Sequence, residues 1–119
     1  MNWLLVFVGG GLGSLVRYGI SFLLKNNGGF FPLSTLVSNV LASFIIGILT
    51  GMALKGALSN EQKLLFATGF CGGFSTFSTF SNETLQLFQQ GQVFLAAINI
   101  AGSLVLCLFA TFLGLRFFI

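Results

Sequence analysis

The stretch Gly69-Phe70-Cys71-Gly72-Gly73-Phe74-Ser75-Thr76-Phe77-Ser78-Thr79-Phe80 lies in a charge-free span between Lys63 and Glu83, just long enough to cross a bilayer. Two adjacent glycines and a block of hydroxyls are poor material for an uninterrupted spanning helix. In hydrocarbon, a freed backbone carbonyl or amide is costly unless protein, ion or water satisfies it. A helix that breaks at membrane depth usually does so for an ion or a substrate. We therefore expect the third span to unwind around Gly72-Gly73.

Outward from this stretch, the rest of the chain reads as membrane protein. Only 6% of the 119 residues are charged and 55% are hydrophobic, against roughly 25% charged in globular domains. The charges, Arg17, Lys25, Lys55, Glu61, Lys63, Glu83 and Arg116, punctuate apolar runs near Trp3–Leu24, Leu33–Leu54, Leu64–Asn82 and Val93–Leu115. Each run approaches or exceeds the ~20 residues that a helix needs to cross hydrocarbon. The expected fold is an all-α membrane protein, with residues 1–119 forming a single domain of four transmembrane helices and the third helix broken mid-membrane. The first span is not expected to be a cleavable signal peptide, because it lacks a basic start and is interrupted by Gly9, Gly10, Gly11, Gly13 and Arg17.

Short polar links separate the runs. Asn26-Asn27-Gly28-Gly29 marks a turn, Ser59 can cap the third helix with Gln62 completing a capping box, and Gln89 to Gln92 form the last connection. Consecutive helices should then be antiparallel neighbours. Lys55, Lys63 and Arg116 fall on one side of the membrane and Lys25 on the other. That favours a cytoplasmic position for the first three, but the bias is small enough that insertion in both orientations is physically credible. Gly9 and Gly13, and Ser43, Gly47 and Gly51, sit at helix-packing spacing, within a subunit or between subunits. Four helices enclose little on their own, and an oligomer, most simply a dimer, is expected.

Several function classes drop out. The chain has no His and no Asp, hence no paired carboxylates and no nucleophile–base arrangement, and an enzyme is not expected. Five scattered cations form no patch for nucleic acid. Cys71 and Cys107 have no zinc or redox spacing and read as small buried hydrophobes.

What remains is ion chemistry. After the glycines come the triplets Phe74-Ser75-Thr76, Phe77-Ser78-Thr79 and Phe80-Ser81-Asn82, which place a phenyl stripe beside hydroxyl stripes on a helix. Phenyl edges are positive and can attract a desolvated anion, to which hydroxyls can donate. Phe rings turned to lipid, with hydroxyls bonded to their own helix, are the bland alternative. Gly72-Gly73 serves either close packing or, unwound, carbonyl coordination of a hard cation such as Na⁺. Arg17 either faces protein, water or an anion, or snorkels towards the Lys25 end. Asn39 either joins helices or lines a pathway. Asn99, Ser103, Cys107 and Thr111 recur every four residues as one polar stripe. Glu83 is either an ordinary solvated helix end or a gate at a pathway mouth.

Together these elements resemble the Fluc (CrcB) family of fluoride channels over almost the whole chain. The matching residues are Gly9-Gly10-x-x-Gly13-x-x-x-Arg17-Tyr18, Thr35-Leu36-x-x-Asn39 followed by Ser43-Phe44-x-x-Gly47, and Gly72-Gly73-Phe74-Ser75-Thr76-Phe77-Ser78-Thr79-Phe80 with Glu83. Ala42 and Asn99 depart from the family's usual Gly and aromatic. The resemblance implies an antiparallel, dual-topology dimer in the cell membrane, either a homodimer or a heterodimer with a paralogue. It implies a structural Na⁺ at the dimer centre on the carbonyls of Gly72 and Ser75, and two fluoride pathways shared between subunits. It further implies Phe77 and Phe80 as pathway rings, Asn39 and Ser103 as pore-side groups, Ser78 and Thr79 as a polar track, Arg17 as a vestibule cation and Glu83 as a gate. The implied function is passive F⁻ export against fluoride toxicity. A proton-coupled exporter of organic cations would need a carboxylate where the first span has Arg17. A non-conducting partner subunit would not need both rings, Asn39 and the break.

Overall fold

The apolar runs form helices whose ends are set by local capping. The structure, a computed structural model, describes residues 1–24 and 31–118. The Asn26-Asn27-Gly28-Gly29 turn and Lys25 lie outside the described residues. Helix α1 spans Asn2–Leu24 and α2 spans Leu33–Leu54. The third element, α3, covers residues 60–74 in three continuous pieces: Asn60–Gln62, a wide-turn π-helical segment Lys63–Cys71, and Gly72–Phe74. Helix α4 follows at Phe77–Gln89 and α5 at Val93–Phe118. Among the described residues there is no strand.

The expected capping box is present: Ser59 Oγ accepts from the Gln62 N–H and Gln62 Oε1 accepts from the Ser59 N–H. Helices α2 and α4 end where Gly56 (φ 71°) and Gly91 (φ 79°) turn left-handed, a conformation open to glycine without strain. The amides of Ala57 and Gln92 then reach back to the carbonyls of Met52 and Leu87.

Three helices, Asn2–Leu24, Leu33–Leu54 and Val93–Phe117, are individually long and apolar enough to cross a membrane. Their large apolar side chains point outwards, with Trp3 the most exposed at 90%, while the interior includes small residues such as Ala42, Ala96 and Ala110. That inversion suits a lipid surround, where close backbone contact replaces hydrophobic burial as the packing force.

Packing departs from simple sequential order. The largest contacts join α1 to α3 and α2 to α5, whereas the consecutive pair α1 and α2 touches less. Gly9 and Gly13 account for the first contact, since a Cβ on either would collide with backbone atoms of Leu65 or Phe70 in α3. Gly47 and Gly114 do the same between α2 and α5. The glycine spacing thus serves contacts within one subunit.

The paired glycines stay helical. Gly72 has φ −64° and ψ −37°, and the chain becomes extended only at Ser75 (ψ 155°) and Thr76 (φ −151°, ψ 122°). The interruption therefore lies after Phe74 and not at Gly72-Gly73. Gly73 is small for another reason: a Cβ there would strike the Gly10 carbonyl of α1.

Candidate functional site

An interruption removes helical partners from both sides of the gap. In an unbroken helix the N–H groups of Thr76 and Phe77 would reach the carbonyls of Gly72 and Gly73. Here Thr76 N donates instead to Asn39 Oδ1 (2.9 Å), and Asn39 Nδ2 donates to the Thr76 carbonyl (3.3 Å). Arg17 Nε donates to the Gly73 carbonyl at 3.2 Å. Arg17 thus contacts protein through Nε, and Asn39 joins helices while also bordering an open groove.

On the C-terminal side, Thr76 is the N-cap of α4. Its Oγ1 accepts from Thr79 N (3.2 Å) and lies 3.2 Å from Thr79 Oγ1 and 3.3 Å from Ser78 Oγ. A cluster of hydroxyls therefore sits at a helix N-terminus, where first-turn amides lack helical acceptors and the dipole favours negative charge.

The groove beside this cluster has a volume of about 550 Å³ and brings together Asn39, Phe77, Phe80 and Ser103 with Ser75 and Cys107. Phe77 and Phe80 lie with ring centroids 5.6 Å apart and planes inclined at 42°. Phe77 is 78% exposed, so the groove lacks a wall on that side. Phe74, first of the triplet phenyls, instead enters the core edge-on to Phe70. Ser103 is buried, and its hydroxyl donates to Asn99 Oδ1 at 3.3 Å. Asn99 Nδ2 donates to Thr84 Oγ1 (2.9 Å), which donates to the Phe80 carbonyl (2.7 Å). This ladder runs from α5 to the backbone under one of the two rings.

Arg17, Thr79 and Glu83 are not in that groove. They line a separate polar cavity of about 320 Å³ between α1, α2 and α4, with Ser14, Thr35 and Ser38. Ser38 Oγ and Glu83 Oε1 are buried there without a hydrogen-bond partner, an arrangement that calls for water or another polar occupant. Glu83 is thus not an ordinary solvated helix end. Sequence reasoning missed Ser38, whose only signal is a hydroxyl one helical turn from Ser34 on a face shared with Thr35. Ser78 is exposed and lines neither space.

Gly72 and Ser75 border a third hollow of about 250 Å³, together with Ser43 and Cys71. Among the described residues no three His, Cys, Asp or Glu side chains converge, so a cation would have to be held by carbonyl and hydroxyl oxygens. The fit is good on that chemistry. Gly72 is exposed, a Cβ on it would meet nothing within 4 Å, and its carbonyl has lost the Thr76 donor to Asn39. The C-terminal end of α3 also carries the negative end of a helix dipole.

Comparison with known proteins shows the family. Residues 4–115 match the family described as CrcB-like protein, Camphor Resistance (CrcB). The chain is 51% identical over 116 residues to a fluoride-specific ion channel FluC of Thermus thermophilus, covering 97% of this chain and 93% of that one. It is 46% identical over 111 residues to the protein of that name from Pyrococcus horikoshii, covering 92% and 89%. Against the one from Shewanella sp. strain ANA-3 it is 46% identical over 114 residues, covering 95% and 92%.

Proposed function

From the premise that this chain belongs to the CrcB-like family, we propose that it is a fluoride-selective channel carrying F⁻ passively out of the cell. An ion-channel family is not an enzyme class, and no reaction is assigned. The observation that carries the reading is the joint placement of Asn39, Phe77 and Phe80 around one groove at the Ser75–Thr76 interruption. Its exposed ring and missing wall support an antiparallel, dual-topology dimer in which a second copy closes the passage. The third span then comprises α3 and α4, with the extended pair at mid-depth and residues 1–119 acting as one four-helix transmembrane domain.

Fluoride is small and strongly hydrated, so passage through a narrow space requires substitutes for its water. Positive phenyl edges of Phe77 and Phe80 and the second N–H of Asn39 supply them. The hydroxyl of Thr79 continues the track, with Ser103 held behind it; Ser78, exposed in the single chain, would join the track only where the second copy covers it. Thr79 leads to the polar cavity, where Arg17 attracts anions and Glu83 stands as the gate. Larger chloride is excluded by size. HF enters as a neutral weak acid and dissociates inside, and the negative-inside potential drives F⁻ out with about 2.3 kcal/mol per charge at 100 mV. Cell-membrane localisation follows from that role.

A structural Na⁺ would be held by the carbonyls of Gly72 and Ser75 from both subunits at the dimer centre. Bound there, it supplies fixed positive charge and ties the two half-helices together. The single chain suffices if it forms a homodimer; a heterodimer with a paralogue would make it inactive alone. Liposomes reconstituted with the purified chain should release F⁻, read by electrode, far faster than Cl⁻. Equal release of both anions would reject selective conduction.

A further inference from the structure

We infer that Asn39, aided by Arg17, is a positioning residue that keeps the chain open at Ser75–Thr76 and thereby leaves the Gly72 carbonyl free for a cation. The inference rests on the channel reading above, with its carbonyl-held Na⁺.

The hydrogen bonds at the gap divide unevenly. The Cys71 carbonyl accepts twice, from Ser75 N (3.0 Å) and Ser75 Oγ (2.8 Å). The Gly73 carbonyl accepts from Arg17. Between them, the Gly72 carbonyl has lost its helical donor, because the Thr76 N–H is turned to Asn39 Oδ1. Asn39 also donates to the carbonyl of the same residue, so one side-chain amide replaces both backbone partners of Thr76. A side-chain amide can accept and donate at once in that way. A carboxylate at this position keeps the acceptor and loses the donor; a leucine has neither. With leucine, the half-buried Thr76 N–H has the Gly72 carbonyl as its nearest replacement, and taking it carries the helix across the gap. Asn39 therefore competes directly with helix continuation, and Arg17 removes the next rung by covering Gly73.

The test is magic-angle-spinning NMR on the isotopically labelled full chain in lipid bilayers, comparing wild type with Asn39→Leu and Asn39→Asp. Backbone carbon shifts of Ser75 and Thr76 report extended or helical conformation. The Gly72 carbonyl shift is followed during titration with Na⁺ against N-methyl-D-glucamine. Wild type and Asn39→Asp should both be extended at Ser75–Thr76 and both respond to Na⁺, the added carboxylate leaving the midpoint no weaker than in wild type. Asn39→Leu should become helical there, with a midpoint weakened by about tenfold or more. Extended shifts and an unchanged midpoint in Asn39→Leu would overturn the inference. A helical Asn39→Leu beside a wild type indifferent to Na⁺ would sustain the positioning role and reject the cation reading instead. Should Asn39→Leu not assemble, wild type alone decides. A through-space cross-peak between Asn39 Cγ and the Thr76 amide nitrogen is expected, and its absence would overturn the inference.

Discussion

Asn39 and Thr76, 37 positions apart, exchange two hydrogen bonds through one side-chain amide and one backbone residue. That pairing ties α2 to the gap between α3 and α4 and sets Asn39 at the edge of the groove that holds Phe77 and Phe80. Scaffold and candidate pathway therefore share a residue, and substitutions there must be read for both roles.

Close packing of α1 on α3 should be intolerant of a single methyl group. Gly13→Ala would place its Cβ 2.7 Å from the Phe74 amide nitrogen and in collision with the Phe70 carbonyl. Overpacking of this kind destabilises by about 1–3 kcal/mol. Thermal unfolding in detergent should show a lowered midpoint for Gly13→Ala, while Gly11→Ala, which meets nothing within 4 Å, should match wild type.

The buried ladder from Ser103 to the Phe80 carbonyl makes a second stability prediction. Asn99→Leu removes the acceptor of Ser103 and the donor to Thr84, and leaving buried polar groups unpaired costs roughly 1–3 kcal/mol. The variant should unfold earlier in detergent, whereas Val105→Ala, on an exposed stretch of α5 outside the groove, should not.

Thr79 tests the polar cavity independently of the rings. Thr79→Val keeps shape but removes the hydroxyl, bonded to that of Thr76, of a residue that lines the space shared with Arg17, Ser38 and Glu83. Fluoride efflux should slow by about tenfold, the effect of losing about 1.4 kcal/mol of stabilisation at the barrier. Arg17→Gln should also slow efflux. It should in addition flatten the dependence of rate on ionic strength, because a fixed charge that attracts anions is screened by salt.

The proposed dual topology makes a prediction about loops. Adding lysines at Ala57 and Leu58 should fix the second loop in the cytoplasm under the positive-inside rule. Lysines at Gln90 and Gln92 should fix the opposite orientation. Each variant alone should lose F⁻ efflux, and co-expression should restore it; full activity of either alone would exclude antiparallel pairing.

Much of this architecture was legible in local pattern. The apolar runs gave the long helices to within a few residues, and the Ser59–Gln62 box and the period-four stripe of α5 were visible as spacing. The position of the interruption was not. Paired glycines suggested Gly72-Gly73, yet Gly73 is needed for contact with Gly10, and the gap is fixed by partners at Arg17 and Asn39, 56 and 37 residues away. Such long-range donors leave no local signature. The same holds for Asn99, whose partner Thr84 lies on another helix, and for the division of the predicted site between a groove and a separate cavity.

The central claim, that fluoride passes beside the rings and the amide at the interruption, is tested most directly by F⁻ efflux from liposomes carrying equal amounts of wild type, Phe80→Ile and Asn39→Asp. Phe80→Ile removes a ring edge, and Asn39→Asp sets a negative charge against an anion while keeping the Thr76 N–H partnered. Both should slow efflux by more than about tenfold with the elution volume of the assembled protein unchanged. Wild-type rates in both variants would place the pathway elsewhere and contradict the account.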